Sequence, residues 1–352
     1  MARSTSPTGT VQLIRLGFAE PDVVRHTIEE IRGLTQDVWR PSAEGESFDD
    51  VVYPLVESAS HAADPDQAFG YLARLFTVAP DRAELLTALT SDRTFRQRLF
   101  AVMGASTGLS DHLIRHPDHW HELADTELSA LRPTARALRD MLLEAVGADP
   151  RSDEPVAGVR TTEGGRDPSD ALRIGYRRLL LRLAARDLCG DVMVDDTAAE
   201  LSDLAAAALE AALAIARSRL ASDAAPCRIA VIGMGKCGGH ELNYVSDVDV
   251  LFVAEPAPGA AEAAAMRSAT QLASWLIRIC SDHTPEGTLW PVDAALRPEG
   301  RAGPLVRTVA SHLAYYQRWA KTWEFQALLK ARVVAGDRAL GEAYLDAVQP
   351  LV

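Results

Sequence analysis

Two periods of apolar residues divide this chain. Over most of its length they recur every three to four positions, as on an amphipathic helix. Around residue 230 they become continuous or alternating, as in strands. The helical pattern starts weakly over residues 1 to about 65. There PDVVRHTIEEIRGL offers a start at Pro21–Asp22 and a face of Val24, Ile28 and Ile31. From about Phe69 it sharpens, and short helices are predicted with starts at Pro80–Asp81, Ser91–Asp92 and Ser110–Asp111. Residues 148–168, ADPRSDEPVAGVRTTEGGRDP, have no period and predict a linker or long loop. Two strong helices follow. One carries Leu172, Tyr176, Leu179, Leu180 and Leu183 on a face, the other Leu201, Leu204, Ala208, Ala212 and Ile215.

The period then changes. CRIAVIG, ending at Gly233, predicts a strand buried on both faces, and DVDVLFVA predicts a second. AMRSATQLASWLIRIC returns to helical spacing through Ala265, Ala269, Leu272, Leu276 and Ile279. TLWPVDAALRP is a third strand candidate, with Pro291 at its entry, where proline is tolerated. ASHLAYYQRWAKTWEFQALLKARVVAGD reads as further helix.

Composition narrows the classes. A chain of 352 residues with 47% hydrophobic and 24% charged residues is globular and long enough for two or three domains. A net charge of −13 argues against general affinity for nucleic acid. The four cysteines form no C-x-x-C pair, which argues against a zinc ribbon or a disulfide framework. MARSTSPTGTVQ has no apolar core and no run of 18 apolar residues follows, so neither signal peptide nor membrane span is expected, and the cytoplasm is the expected compartment.

The candidate chemistry lies in GMGKCGGHELNYVSDVDVLF, residues 233–252. Alternation puts Asp247, Asp249, Leu251 and Val253 on one strand face. Two carboxylates about 7 Å apart along a strand repel unless a cation lies between them. Hard oxygen ligands at that spacing suit Mg²⁺ or Mn²⁺. Gly233, Gly235, Gly238 and Gly239, with Lys236 among them, allow close backbone approach and predict an anion site. The order of a Walker P-loop is absent, and the acids arrive too early for a dinucleotide fingerprint. In the third strand Asp293 and Arg297 share a face. Asp293 would complete a three-carboxylate site, with Arg297 or Arg301 holding a phosphoryl group.

Several features have plainer readings. His112, His116, His119 and His121 lack the glutamate of a zinc-protease motif and read as a helix end. Tyr315, Tyr316, Trp319 and Trp323 are spaced as core rather than as an adenine platform. Arg173, Arg177, Arg178, Arg182 and Arg186 read as a solvated helix face. Cys237 has no partner for nucleophilic work.

The Gly235–Lys236 turn, the Asp-x-Asp strand and the later Asp293 resemble the polymerase β type of nucleotidyltransferase. The longer strings, with VDAALRPEGRAGPLV, WEFQALLKARVVAGD, LRIGYRRLLLRLAARDL and LIRHPD, resemble the bifunctional glutamine synthetase adenylyltransferase/adenylyl-removing enzymes over most of the chain. That resemblance implies an α+β protein. Its parts are a helical N-terminal region (1–147), a linker or loop (148–168), and a nucleotidyltransferase α/β core with flanking helices (169–352). Asn243 in GHELNY is similar to the N-terminal, adenylyl-removing unit of that longer two-unit enzyme, which implies that this chain is its N-terminal part. The implied reaction is removal of AMP from a tyrosine of glutamine synthetase by phosphate, giving ADP and regulating nitrogen assimilation. The implied catalytic and metal residues are Asp247, Asp249 and Asp293. The implied nucleotide and phosphate contacts are Gly235, Lys236, Gly238, Gly239, Ser246, Arg297 and Arg301, with Lys330 and Arg332 as lesser candidates for the same role. Implied partners are glutamine synthetase, a P-II type signalling protein, phosphate and the nucleotides ATP, ADP and AMP. Adenylyl transfer from ATP, or a purely binding role towards glutamine synthetase or a P-II protein, are the alternatives.

Overall fold

The computed structural model describes residues 8–39, 47–125, 127, 132–159 and 165–352. They fall into two compact units, Met1–Leu131 with Leu180–Met193, and Arg132–Leu179 with Val194–Val352.

The first unit holds α1 (Thr10–Arg15), α2 (Pro21–Thr35), α3 (Phe48–Ala59), α4 (Pro65–Val78), α5 (Arg82–Ser91), α6 (Arg93–Ala105), α7 (Thr107–Arg115) and α8 (His121–Ala124). Side-chain caps mark the helix starts, since an aspartate there accepts a backbone N–H that has no partner within the helix. Asp64 accepts from Gln67 at 2.9 Å, Asp81 from Glu84 at 2.9 Å and Asp92 from Thr94 at 2.8 Å. The expected start at Ser110–Asp111 is displaced. Helix α7 is capped by Ser106, and the Ser110 hydroxyl bonds back to the Ser106 carbonyl at 2.7 Å. Phe69, Leu72, Phe76, Phe95 and Leu99 are fully buried in one core.

The second unit holds α9 (Ala135–Ala145), α10 (Pro168–Leu188, as far as Leu179), α11 (Val194–Ser218), α12 (Gly235–Gly238), α13 (Glu262–Ser281), α14 (Val309–Tyr316), α15 (Thr322–Leu328) and α16 (Arg338–Val348). The described residues of the stretch 148–168 belong to this unit. Ala157 donates to the Ala214 carbonyl at 3.0 Å and Gly158 to that of Val146 at 3.1 Å, so its middle is anchored. Residues 160–164 of that stretch lie outside the described residues.

The sheet has strands β1 (Cys227–Gly233), β2 (Val248–Pro256), β3 (Val292–Asp293), β4 (Val306–Arg307) and β5 (Arg332–Gly336). Its order is β3-β2-β1-β5, and β4 also pairs with β2. β1 runs antiparallel to β2 and β5, while β3 and β4 lie parallel to β2. Ala230, Ile232, Leu251 and Val253 face a core that includes Leu328, Leu340 and Tyr344 from α15 and α16. The alternate residues Val250 and Phe252 take the other face, on which α13 packs.

Three further expectations change here. The third strand shrinks to two residues, and Arg297 lies in the turn after it. RVVAG is a strand, not the end of a helix, and β4 escaped notice. The arginine row of α10 is not a solvated face. Arg173 and Arg186 are buried, and of the five only Arg178 is exposed. Among the described residues no helix is long and apolar enough to cross a membrane.

Candidate active site

The two-residue pairing of β2 with β3 decides the site. Its register sets Asp249 directly beside Asp293. Asp247 sits just before β2, on the same face as Asp249 by strand alternation. Ligand atoms of Asp247, Asp249 and Asp293 all lie within 4.8 Å of one another. This is the one such group of acidic, His and Cys side chains among the described residues. Asp293 is fixed from its own side, because its Oδ1 accepts the Ala295 N–H at 2.7 Å.

Three carboxylates that close repel one another. Burial holds the Asp249 carboxyl above its ordinary range, and Asp247 and Asp293 push it further up. Lys236 acts in the opposite direction. The Arg301 guanidinium lies 3.9 Å from Asp293 Oδ2, on an exposed side chain. An all-oxygen set with surplus negative charge fits a hard divalent cation.

The glycine turn follows β1 and is tied to β2 at the same point. Met234 donates to the Asp249 carbonyl at 2.8 Å. Gly235 has φ +52°, and a Cβ there would lie 2.5 Å from the Asp249 Oδ2. Only glycine lets the turn pass that carboxylate. Gly238 is required by packing, since a Cβ would lie 2.0 Å from the Lys330 carbonyl. The N–H groups of Gly238 and Gly239 bond inside the turn, to the Met234 and Gly235 carbonyls at 2.9 and 3.1 Å. They are therefore engaged within the protein rather than presented to an anion. Lys236 reaches Asn243 Oδ1 at 3.1 Å, on the loop that leads to half-buried Ser246 and then Asp247.

Arg297 behaves differently from the expectation. Its guanidinium donates to the carbonyls of Ala294, Gly303 and Arg301 at 2.7, 3.2 and 3.2 Å and braces its own loop. Lys330 pairs with Glu241 at 2.6 Å. Arg332 donates to the Cys237 carbonyl at 3.0 Å and lies 3.9 Å from Asp203. Asp203 was not anticipated. With Ser202, whose hydroxyl accepts the Leu242 N–H at 3.2 Å, it anchors the turn to α11. Two polar residues within an otherwise Ala/Leu-rich helix were the available signal.

The other candidates separate. Cys237 is buried, and burial pushes its thiol up to about 11, which suits packing and not nucleophilic attack. His112, His116 and His119 cluster with centroids 5.0 to 5.5 Å apart, His116 stacked on His119 and His112 tilted against both, and His112 Nε2 is 2.9 Å from His119 Nδ1. Tyr316 is core, whereas Trp319 and Trp323 are exposed.

A small mixed sheet between helices, with a Gly–Lys turn, an Asp-x-Asp strand and a third aspartate paired beside it, is a nucleotidyltransferase-like arrangement. Comparison with known proteins makes this specific. The chain belongs to the glutamate-ammonia ligase adenylyltransferase family, which it matches over residues 96–347. It is 52% identical over 345 residues to the bifunctional glutamine synthetase adenylyltransferase/adenylyl-removing enzyme of Streptomyces avermitilis, covering 97% of this chain and 31% of that protein. The enzymes of the same name from Streptomyces coelicolor and Cutibacterium acnes are 54% and 43% identical, with 97% of this chain matched in each case. The chain spans about a third of the length of these relatives, 31 to 33%.

Proposed function

We propose that this chain removes AMP from an adenylylated tyrosine of glutamine synthetase by phosphorolysis. The reading is carried by the convergence of Asp247, Asp249 and Asp293 within 4.8 Å beside the Gly235–Lys236 turn. It is supported by the relatives' name, which includes adenylyl removal. In the proposed reaction a phosphate oxygen forms a bond to the phosphorus of the tyrosyl-AMP diester. The bond from phosphorus to the phenolic oxygen breaks, ADP leaves, and the phenolate takes up a proton.

The three carboxylates would hold Mg²⁺ or Mn²⁺, which when bound offsets the repulsion between two anions at the reacting phosphorus. Lys236 supplies positive charge to Asp249 and Arg301 to Asp293, and Arg301 is free to swing because it is exposed. Ser246 and the Gly235 backbone complete the proposed phosphate contacts. Arg297 shapes the loop that presents Arg301. Glutamine synthetase is the proposed protein substrate, a P-II type protein a proposed regulator, and the cytoplasm the proposed compartment.

The test incubates the chain with adenylylated glutamine synthetase, phosphate and Mg²⁺ and follows ADP. ADP that depends on phosphate and is lost in Asp247→Asn supports the reading. AMP incorporation from ATP with pyrophosphate release, and no ADP from phosphate, overturns it in favour of the opposite direction.

A further inference from the structure

We propose that Arg173 and Arg177 of α10 are positioning residues for the Asp293 carboxylate. This inference rests on the metal-site reading above. Arg173 is fully buried, an unusual place for a guanidinium. Among the described residues its hydrogen-bond partners are all carbonyls, with no carboxylate. Nε donates to the Gly287 carbonyl at 2.7 Å, Nη1 to Ser169 at 2.8 Å, and Nη2 to Ile279 and Asp282 at 2.8 and 2.6 Å. One turn along, Arg177 donates to the carbonyls of Glu286 and, at 2.8 Å, Thr288. Between them, Tyr176 accepts the Trp290 indole N–H at 3.1 Å.

Apart from Ser169, every one of these partners lies between the last turn of α13 and the entry to β3. β3 pairs with β2 through only two residues, extended by the Val248 N–H to the Pro291 carbonyl at 2.9 Å, so the segment leading into it gains from being held from outside as well. Ladder pairing that short cannot by itself fix a side chain to a few tenths of an ångström. The turn is fitted to the clamp: Gly287 has φ +83°, and a Cβ there would lie 2.8 Å from Arg177 Nη2. Burying a cation is costly, and an apolar residue of similar volume stabilises a fold as well or better. What the guanidinium adds is several directed bonds to the one segment that delivers Asp293. The end of α13 also offers unpaired carbonyls and a negative dipole end to receive it.

The experiment measures Mn²⁺ binding to the metal-free chain by electron paramagnetic resonance, for wild type, Arg173→Lys and Arg177→Ala, with hydrogen exchange on each. Arg177 is only half-buried, so its variant decides the matter if Arg173→Lys does not fold. The expected result is Mn²⁺ affinity roughly tenfold weaker, the scale seen when groups that orient metal ligands are removed. Exchange should rise over residues 284–295 and stay unchanged in β1. Unchanged Mn²⁺ affinity in a folded variant overturns the inference. So does an affinity loss with faster exchange throughout the second unit, which marks general destabilisation. Absence of Mn²⁺ binding by the wild type would instead refute the metal-site reading itself.

Discussion

A single methyl group at residue 235 tests the site most sharply. In Gly235→Ala the new Cβ would lie 2.5 Å from Asp249 Oδ2, where ordinary contact begins at 3.4 Å. Something must yield by about 0.9 Å, and the carboxylate, at the end of a short side chain, is the part that can. Alanine at φ +52° also costs roughly 1–2 kcal/mol of backbone strain. For a unit of this size that lowers the melting temperature by about 2–8 °C. Function should suffer more than stability, because a displacement near 1 Å at a reacting centre costs on the order of 100-fold in rate. Circular dichroism melts, Mn²⁺ titration and the phosphate-dependent ADP assay together separate the two effects. A Gly235→Ala protein that melts a few degrees lower yet turns over at the wild-type rate would refute the reasoning, since the turn and the acid would then not share one tight contact that the chemistry needs.

Asp249→Asn should cut activity about 100-fold or more, the scale for removing one electrostatic contributor, yet stabilise the metal-free protein. The raised Asp249 pKa means its favourable contribution is present below the ordinary 3.8 and is lost as pH rises through the folded value. The metal-free wild type therefore loses stability across that rise. A melting series against pH, flatter and higher at neutral pH for Asp249→Asn, checks this. His312 is buried against Tyr344, and burial pushes it down to about 4 from 6.5. Its neutral form is the one folded, so stability should fall by up to about 3 kcal/mol as pH drops from 6.5 to 4. His312→Gln should show a shallower fall when urea unfolding is measured across that pH range. Arg301→Ala should raise the phosphate KM severalfold at unchanged melting temperature. Arg297→Ala, which frees three carbonyls of a loop, should lower the melting temperature with little effect on that KM, as initial-rate kinetics and melts will show.

The residues that the chain's own pattern made legible are those with a strong period or a dense cluster of unusual types. β1 and most of β2 are continuous apolar runs, and Asp247 and Asp249 stand out at the mouth of one of them. Helix α13 buries every residue of its predicted stripe. β3 was legible only as part of a longer strand candidate and β4 not at all, because two residues carry no period and both strands are defined by their pairing to β2. The five residues of β5 follow a helix with three residues between, and read as its continuation until Ala230–Gly233 claims them as partners. Arg297 was assigned to Asp293's face by extending a strand alternation past the point where the strand ends. Arg173 looked solvated because counting charges along a helix cannot reveal that carbonyls of α13 and its following turn, over a hundred positions away, surround it.

Asp249 binds Met234 through its main chain while its side chain fills the space a substituent at 235 would need. The two positions are therefore expected to drift as a pair through evolution. A relative with any larger residue at the place of Gly235 should also have surrendered the acid at the place of Asp249, leaving a pseudoenzyme. Surveying those two columns alone would sort working copies from silent ones.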